Sequence, residues 1–171
     1  MTQKSKMQQT ADFGSNWWND SNDHVELQHA CEEGAVGATS NPVITLNSVK
    51  NHPDIWIPEI DKIIMNNPSA SEDEIVWMLI DKVGIKAASI LLPVYKNTNG
   101  QKGKLSLQVN PKYYRNADAM VKQGKYLASL AANIAVKCPA LPAGIKAMAV
   151  SYTHLRAHET LRYLVCRLLL E

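Results

Sequence analysis

The sequence predicts an α/β protein that forms the N-terminal half of an eight-stranded β/α barrel. Short apolar segments alternate with longer helical patterns, which is typical of a parallel sheet. Polar residues occur at the carboxyl ends of the predicted strands, where a β/α barrel gathers its catalytic groups. An open, doubly wound sheet also binds ligands there, but a GxGxxG fingerprint after the first strand is absent from the sequence. Four strands supply half of such a barrel.

Composition indicates a globular domain and excludes several classes of function. The chain has 171 residues, of which 46% are hydrophobic and 20% charged, and its formal net charge is +2. The cationic residues are interspersed, so no nucleic-acid partner is predicted. The sequence contains neither an apolar run of roughly 20 residues nor an N-terminal signal core, so we expect a cytoplasmic protein without a membrane partner. Three cysteines without CxxC spacing predict reduced thiols and no metal site.

The first forty residues predict a lead-in followed by a strand, a helix and a second strand. Residues 1–15 have no periodic pattern and are expected to be mobile. A short strand at 17–20 ends at Asp20, which is either a functional carboxylate or a plain helix-capping group. Asp23 and Glu26 have the spacing of a capping box, and the helix that they begin should stop at Gly34. Residues 35–39 follow as a buried strand.

The rest of the chain alternates between helices and two further strands. Residues 40–42 predict a turn, and residues 51–95 predict three helices, of which the second begins at Ser71 and ends near Gly84. Residues 105–109 alternate strictly between apolar and polar side chains, as a strand does. Asn116 is a predicted N-cap of the next helix, which leads into a strand at 134–137. One more helix is expected from Gly144.

Lys137 is the residue with the strongest indication of chemistry. Strand alternation places it on the face opposite Ile134 and Val136, at the end of a short apolar strand that Pro139 terminates. A lysine amine in a desolvated pocket has a lowered pKa and can condense with a carbonyl group to form a Schiff base. The plainer interpretation of the same stretch is a lysine on an edge strand that faces solvent.

Four segments, in this order, resemble the transaldolase family, which includes the related fructose 6-phosphate aldolases. They are residues 18–23 (WNDSND), 34–42 (GAVGATSNP), 103–111 (GKLSLQVNP) and 136–140 (VKCPA), the last followed by Gly144 and Ile145. Residues 16–149 carry the resemblance. It implies a barrel enzyme that acts on sugar phosphates through a lysine Schiff base, in the pentose phosphate pathway, without a metal or organic cofactor.

The resemblance also implies roles for individual residues. Lys137 matches the lysine that forms the Schiff base, and Asp20 matches the aspartate that acts as acid and base on the first strand. Asn41 matches the asparagine of a T-x-N-P turn that contacts the donor sugar, and Thr39 of the same turn is expected to bind substrate.

At the position of Gln108, the resemblance implies the glutamate by which the best-known transaldolases activate a water. This chain departs from that pattern. Glutamine orients a water but does not take its proton at neutral pH. The fructose 6-phosphate aldolase branch also has glutamine there, so transfer and simple aldol cleavage both stay open. The long insert at residues 45–102 favours the transaldolase branch.

Residues 150–171 resemble the translation of a sequencing adapter, and the family resemblance stops where they begin. We therefore expect a non-native tail and a gene truncated after four of eight β/α units. A metal cluster of His154, His158 and Glu159 is the less favoured interpretation of this tail. A truncated chain should be inactive, or a non-catalytic half barrel, and its open sheet edges should promote homo-oligomers or aggregates.

Overall fold

The computed structural model describes residues 4–154, and these form a parallel sheet with helices between its strands. The strands are β1 (Gly37–Thr39), β2 (Lys104–Gln108) and β3 (Ile134–Lys137). The helices are α1 (Lys6–Asp12), α2 (His24–Glu32), α3 (Pro42–Asn51), α4 (Pro53–Asn66), α5 (Glu72–Asn97), α6 (Ala117–Leu130) and α7 (Pro142–His154), with a 3-10 turn at Pro111–Tyr113. The α/β class is thereby confirmed.

The sheet has the strand order β1-β2-β3, and both pairings are parallel. The first predicted strand, at residues 17–20, is reduced to one parallel bridge between Asn19 and Ala38. The amide of Asn19 donates to the carbonyl of Gly37 at 2.9 Å, and the amide of Thr39 donates to the carbonyl of Asn19 at 2.9 Å. The four sequence segments therefore lie side by side in chain order, as successive β/α units of a barrel do.

The two faces of the sheet differ in chemistry. Leu105 and Leu107 of β2, and Val109 just after it, are buried against the helices, and the same core includes Leu91 of α5 and Met120 of α6. The residues that alternate with them point to the opposite face, which carries Thr39, Ser106, Gln108, Ala135 and Lys137 and is only half-buried. We call these five residues the polar sheet face. The strict alternation predicted for 105–109 is confirmed.

Helix α5 corrects one prediction of the sequence. Gly84 was expected to end a helix, with a separate helix after it, but α5 runs unbroken from Glu72 to Asn97. Gly84 is buried, and a Cβ atom there would lie 3.0 Å from Leu107 Cδ1. The glycine therefore allows a close approach of the helix to β2 instead of terminating the helix.

Local capping signals were more reliable predictors. Asp23, Ser71 and Asn116 are the N-caps of α2, α5 and α6, and Ser71 forms the predicted capping box with Glu74. Two helices were not predicted: α3, for which Asn41 is the N-cap, and α1, which lies within the lead-in. Whether residues 1–15 are mobile stays a prediction.

The tail predicted to be non-native, residues 150–171, lies largely outside the described residues. Helix α7 continues past residue 150 to His154, so the predicted boundary does not coincide with the end of an element. Of the predicted tail cluster, His158 and Glu159 are outside the described residues. Within the described part of the chain, the helices lack the combination of length and apolar character that a membrane span requires.

Asp81 and Tyr126 join α5 to α6, and their interaction predicts the titration of one tyrosine. The Tyr126 hydroxyl donates to Asp81 Oδ2 at 2.7 Å. This bond to Asp81, with burial, raises the pKa of Tyr126 to about 12. Because the folded-state pKa is raised above the usual value of about 10, the stability that the bond contributes is present below pH 10 and lost as the pH rises toward 12.

An ultraviolet pH titration should therefore show a tyrosine component with a midpoint near pH 12. That component should be absent from Tyr126→Phe and should move toward pH 10 in Asp81→Asn. An unchanged titration in Asp81→Asn would contradict the role of this carboxylate.

Candidate active site

The register of β2 and β3 brings two predicted site residues together. Gln108 is the direct partner of Lys137, and both are the last residues of their strands. Direct partners in a parallel sheet project on the same face. The amide of Gln108 and the amine of Lys137 therefore both lie at the carboxyl end of the polar sheet face.

Lys137 also reaches across the sheet to β1. Its Nζ donates to Thr39 Oγ1 at 3.4 Å, which is a long hydrogen bond. Because β2 lies between β1 and β3, this contact spans all three strands. Lys137 is half-buried, and β3 is the edge strand of the sheet that the described residues form. Lys137 therefore has a feature of each interpretation of the sequence. Its strand is at an edge of the sheet, and its side chain is half-buried on the polar sheet face.

Asn41 lies just beyond the end of β1, where it begins α3. Its Oδ1 accepts a hydrogen bond from the amide of Ile44 at 2.9 Å, and Pro42 occupies the first position of the helix. The predicted substrate-binding residue is thus also a helix cap, with its oxygen engaged by the backbone.

Asp20 is exposed and lies in a different environment from Lys137. It follows the residue that bridges to β1, so it is also at the carboxyl end of the sheet. An open cleft of about 350 Å³ is lined by Asp20, Ser21, Glu26, Ile44, Asn47, Ser48 and Asn51. The carboxylate therefore faces residues of α2 and α3, and it does not serve as the N-cap of α2, because Asp23 does.

A buried hydrogen-bond network was not predicted from the sequence. Asn22 Nδ2 donates to Ser40 Oγ at 2.8 Å and to Thr45 Oγ1 at 2.9 Å, while Asn22 Oδ1 accepts from Ser48 Oγ at 2.6 Å. This network joins the loop that carries Asp20 to the turn and helix that follow β1. The available signal was Thr45 and Ser48, two small hydroxyl residues three positions apart, which indicates a helix face but not the partner of that face.

Two electrostatic features lie next to these residues. Burial raises the pKa of Asp23, but bonds from the amides of Glu26 and Val25 and the contact with His52 outweigh it, so the pKa is lowered overall. Burial raises the pKa of the Cys138 thiol, which adjoins Lys137 in sequence. Cys138 therefore stays protonated at neutral pH, so thiolate chemistry beside the lysine is disfavoured.

The arrangement suits chemistry on a carbonyl compound. A primary amine, a hydroxyl group and a carboxamide converge on one face, which supplies a nucleophile and two groups able to bind an oxygen atom. A family model described as transaldolase/fructose-6-phosphate aldolase matches residues 17–152, which is most of the chain. The chain belongs to the transaldolase/fructose-6-phosphate aldolase family.

Individual members of this family are similar to the chain over most of its length. Transaldolase 2 of Streptomyces coelicolor is 32% identical over 127 residues, which cover 73% of this chain and 32% of the relative. The transaldolase of Thermobifida fusca is 29% identical over 153 residues, which cover 84% of this chain and 40% of the relative. The chain thus spans about a third of the length of the transaldolases it matches.

The family resemblance drawn from the four sequence segments is confirmed, because the matched range contains all of them. The match adds weight to the barrel interpretation of the parallel sheet. The roles of Lys137, Asp20, Gln108, Asn41 and Thr39 remain predictions.

Proposed function

We propose that this chain is the N-terminal part of a cytoplasmic transaldolase. The enzyme transfers a dihydroxyacetone unit from a ketose phosphate to an aldose phosphate, as a step of the pentose phosphate pathway. The observation that carries the proposal is the position of Lys137, which ends β3 on the polar sheet face and contacts Thr39 across the sheet. The carboxyl ends of the strands are where a β/α barrel holds its reacting groups.

The proposed reaction begins with the amine of Lys137. In its neutral form the amine attacks the ketose carbonyl, and the carbonyl oxygen leaves as water to give an iminium group. The carbon–carbon bond then breaks, the aldose phosphate part of the donor leaves as an aldehyde, and the iminium group stabilises the electron pair on the three-carbon fragment. The acceptor aldehyde captures that fragment, and water then hydrolyses the iminium group, which releases the new ketose phosphate and the amine of Lys137. The reaction therefore needs neither a metal nor an organic cofactor.

The remaining predicted residues have supporting roles in this proposal. Asp20 is exposed at the carboxyl end of the sheet, so a substrate can reach it, and it moves protons when water leaves and when the carbon–carbon bond breaks. Thr39 and Asn41 bind the donor sugar. The Thr39 hydroxyl already holds the amine of Lys137, which orients the nucleophile toward the donor.

Aldol cleavage of fructose 6-phosphate is the second candidate, and Gln108 is the observation that favours it. A carboxamide beside Lys137 orients a water without accepting its proton. The two activities are separated by product analysis on the full-length enzyme. With fructose 6-phosphate alone, an aldolase releases free dihydroxyacetone, whereas a transaldolase forms a new ketose phosphate only after an aldose phosphate is added.

Replacing Gln108 by glutamate provides a test of its role. Gln108→Glu introduces a base beside Lys137, so we expect turnover to change by about tenfold or more while borohydride trapping of the donor changes little. Gln108→Met is the control, because it keeps the length of the side chain and removes the amide. Equal changes in turnover and in trapping would show that Gln108 acts in packing or donor binding.

We further propose that residues 1–171 alone form a non-catalytic half barrel. The supporting observations are the coverage of about a third of each relative and the position of Lys137 on an edge strand. Unpaired strand edges favour self-association, and exposure to water keeps a lysine protonated. A coupled assay with size-exclusion chromatography tests this proposal. We expect background activity in an oligomer or aggregate, and a monodisperse protein that turns over about once per second or faster contradicts it.

A further inference from the structure

Three potential metal ligands meet where the start of α2 lies against the junction of α3 and α4. We define the histidine cluster as Asp23, His24 and His52. Asp23 and His24 begin α2, and His52 is the residue between α3 and α4. The rings of His24 and His52 pack edge to face, with centroids 4.3 Å apart and planes at 61°. Each residue offers one ligand atom, and these atoms lie within 4.8 Å of one another.

The distances within the cluster are close to those around a bound ion. His52 Nε2 lies 3.0 Å from Asp23 Oδ2 and 3.1 Å from Asp23 Oδ1. Two ligands of a tetrahedral zinc ion, each about 2.0–2.1 Å from the metal, lie about 3.3 Å apart. The spacing of Asp23 and His52 is therefore close to that of two ligands of one ion, which they hold once the His52 ring turns Nε2 from the carboxylate toward the ion. Rotation of the partly exposed His24 side chain brings in a third ligand.

The carboxylate is already fixed in place by groups outside the cluster. Asp23 is 2% exposed, and its Oδ1 accepts bonds from the amides of Val25 at 3.0 Å and Glu26 at 3.3 Å. Asn51 Nδ2 lies 3.4 Å from Oδ2. Groups of this kind orient a metal-binding carboxylate and reduce the reorganisation that binding requires.

Charges around the cluster act in both directions. The amino end of α2 carries a partial positive charge, and Lys86 lies close enough to affect His24, so both disfavour a cation. Asp23 within the cluster and Asp54 in the first turn of α4 favour one. Two neutral imidazoles with one carboxylate are a donor set that zinc and related divalent transition metals accept.

We propose that the histidine cluster binds one divalent transition-metal ion, such as Zn²⁺. His24, His52 and Asp23 supply three ligands, and water occupies the remaining position. The ion would tie α2 to the junction of α3 and α4, and it takes no part in the reaction proposed for Lys137. The test of this proposal is therefore independent of the test of the proposed function.

The test uses the soluble oligomer of the 171-residue chain, isolated by size-exclusion chromatography, after metal has been stripped with a chelator, and binding is expressed per chain. Titration with Co²⁺, followed by visible absorption and then by displacement with Zn²⁺, should show one equivalent bound in a site of low coordination number. We expect His24→Gln and His52→Gln each to weaken binding at least tenfold. His29→Gln is the matched control, because His29 is on α2 with a side chain 74% exposed and should leave binding unchanged.

Two additional measurements test whether the ion binds at the histidine cluster or at the tail, and whether binding is seen without any variant. The double variant His154→Gln/His158→Gln should bind Co²⁺ as the unmodified chain does; loss of binding in it would move the site to the tail and overturn the proposal. Zn²⁺ should protect His24 and His52, but not His29, from a histidine-selective acylating reagent, which needs no variant to fold. Absence of stoichiometric binding, or equal modification with and without Zn²⁺, would overturn the proposal and leave a structural hydrogen bond between Asp23 and His52.

Discussion

Borohydride reduction of the full-length enzyme with fructose 6-phosphate is expected to attach a three-carbon, dihydroxyacetone-derived mass to Lys137. The reducing agent converts the iminium group to a stable amine, so peptide mass spectrometry identifies the lysine that formed it. Lys137 is the expected site because it combines the carboxyl end of β3, the polar sheet face and the hydrogen bond to Thr39. Trapping should be complete at saturating donor.

Two lysine-to-arginine variants distinguish nucleophilic attack from simple charge. Lys137→Arg should abolish both trapping and turnover, because a guanidinium stays protonated and does not attack a carbonyl group. Lys146→Arg is the matched control, since Lys146 lies on α7 in a second cleft lined by Arg115 and Asp118. It should retain trapping. A label on Lys146, or trapping that survives in Lys137→Arg, would remove Lys137 from the proposed mechanism.

Among glycine-to-alanine substitutions in the described residues outside α7, Gly103→Ala is expected to cause the largest loss of stability. Gly103 has a φ of 75°, and a Cβ atom there would lie 2.2 Å from the amide nitrogen of Tyr95 and 2.7 Å from the carbonyl oxygen of Leu91. Both contacts are to backbone atoms of α5, so no side-chain rotation relieves them. Left-handed strain and the displaced helix together should cost at least about 3 kcal/mol.

Gly14→Ala separates the two causes of this loss. Gly14 has a φ of 89°, but a Cβ atom there meets nothing within 4 Å. It should therefore cost about 1 kcal/mol through backbone strain alone. Chemical denaturation of the two variants and the unmodified chain measures the difference. Similar losses in both variants would show that α5 moves away from Gly103 at little cost.

The effect of Gly103→Ala should spread beyond the turn because the glycine holds three elements. Its amide donates to the carbonyl of Val36 at 2.7 Å, just before β1. Its carbonyl accepts from Asn133 Nδ2 at 2.8 Å, and Asn133 also donates to the carbonyl of Ala88 on α5. Displacement of this residue therefore disturbs both neighbours of β2.

The features that were predictable from sequence are those determined by neighbouring residues. The caps at Asp23, Ser71 and Asn116 depend on a side chain and an amide two or three residues apart, so the pattern contains the whole interaction. The prediction for Gly84 was wrong because the residue that requires a glycine there, Leu107, is distant in sequence and packs against it only in the fold. A single sequence does not distinguish a glycine that allows a neighbouring side chain to pack closely from a glycine that ends a helix.

The candidate site also contains features that follow from the local sequence and features that depend on contacts between distant residues. Strand alternation predicted that Gln108 and Lys137 lie on the polar sides of their strands, near the carboxyl ends, because side chains of a strand alternate with a period of two. The contact of Lys137 with Thr39 across β2 depends on the length of the side chain and the twist of the sheet. The network around Asn22 depends on how α3 packs on the preceding loop, so the pattern of hydroxyl residues alone did not reveal it.

The sequential strand order determines when the site can assemble on the ribosome. Each strand pairs with the one made before it, so a nascent chain can add β2 to β1 and then β3 to β2 without rearranging earlier pairs. Thr39 emerges first, then Gln108, and the amine of Lys137 last. A chain arrested before Ile134 therefore already contains the hydroxyl group of Thr39 and the amide of Gln108, whereas the proposed nucleophile, Lys137, has not yet been added.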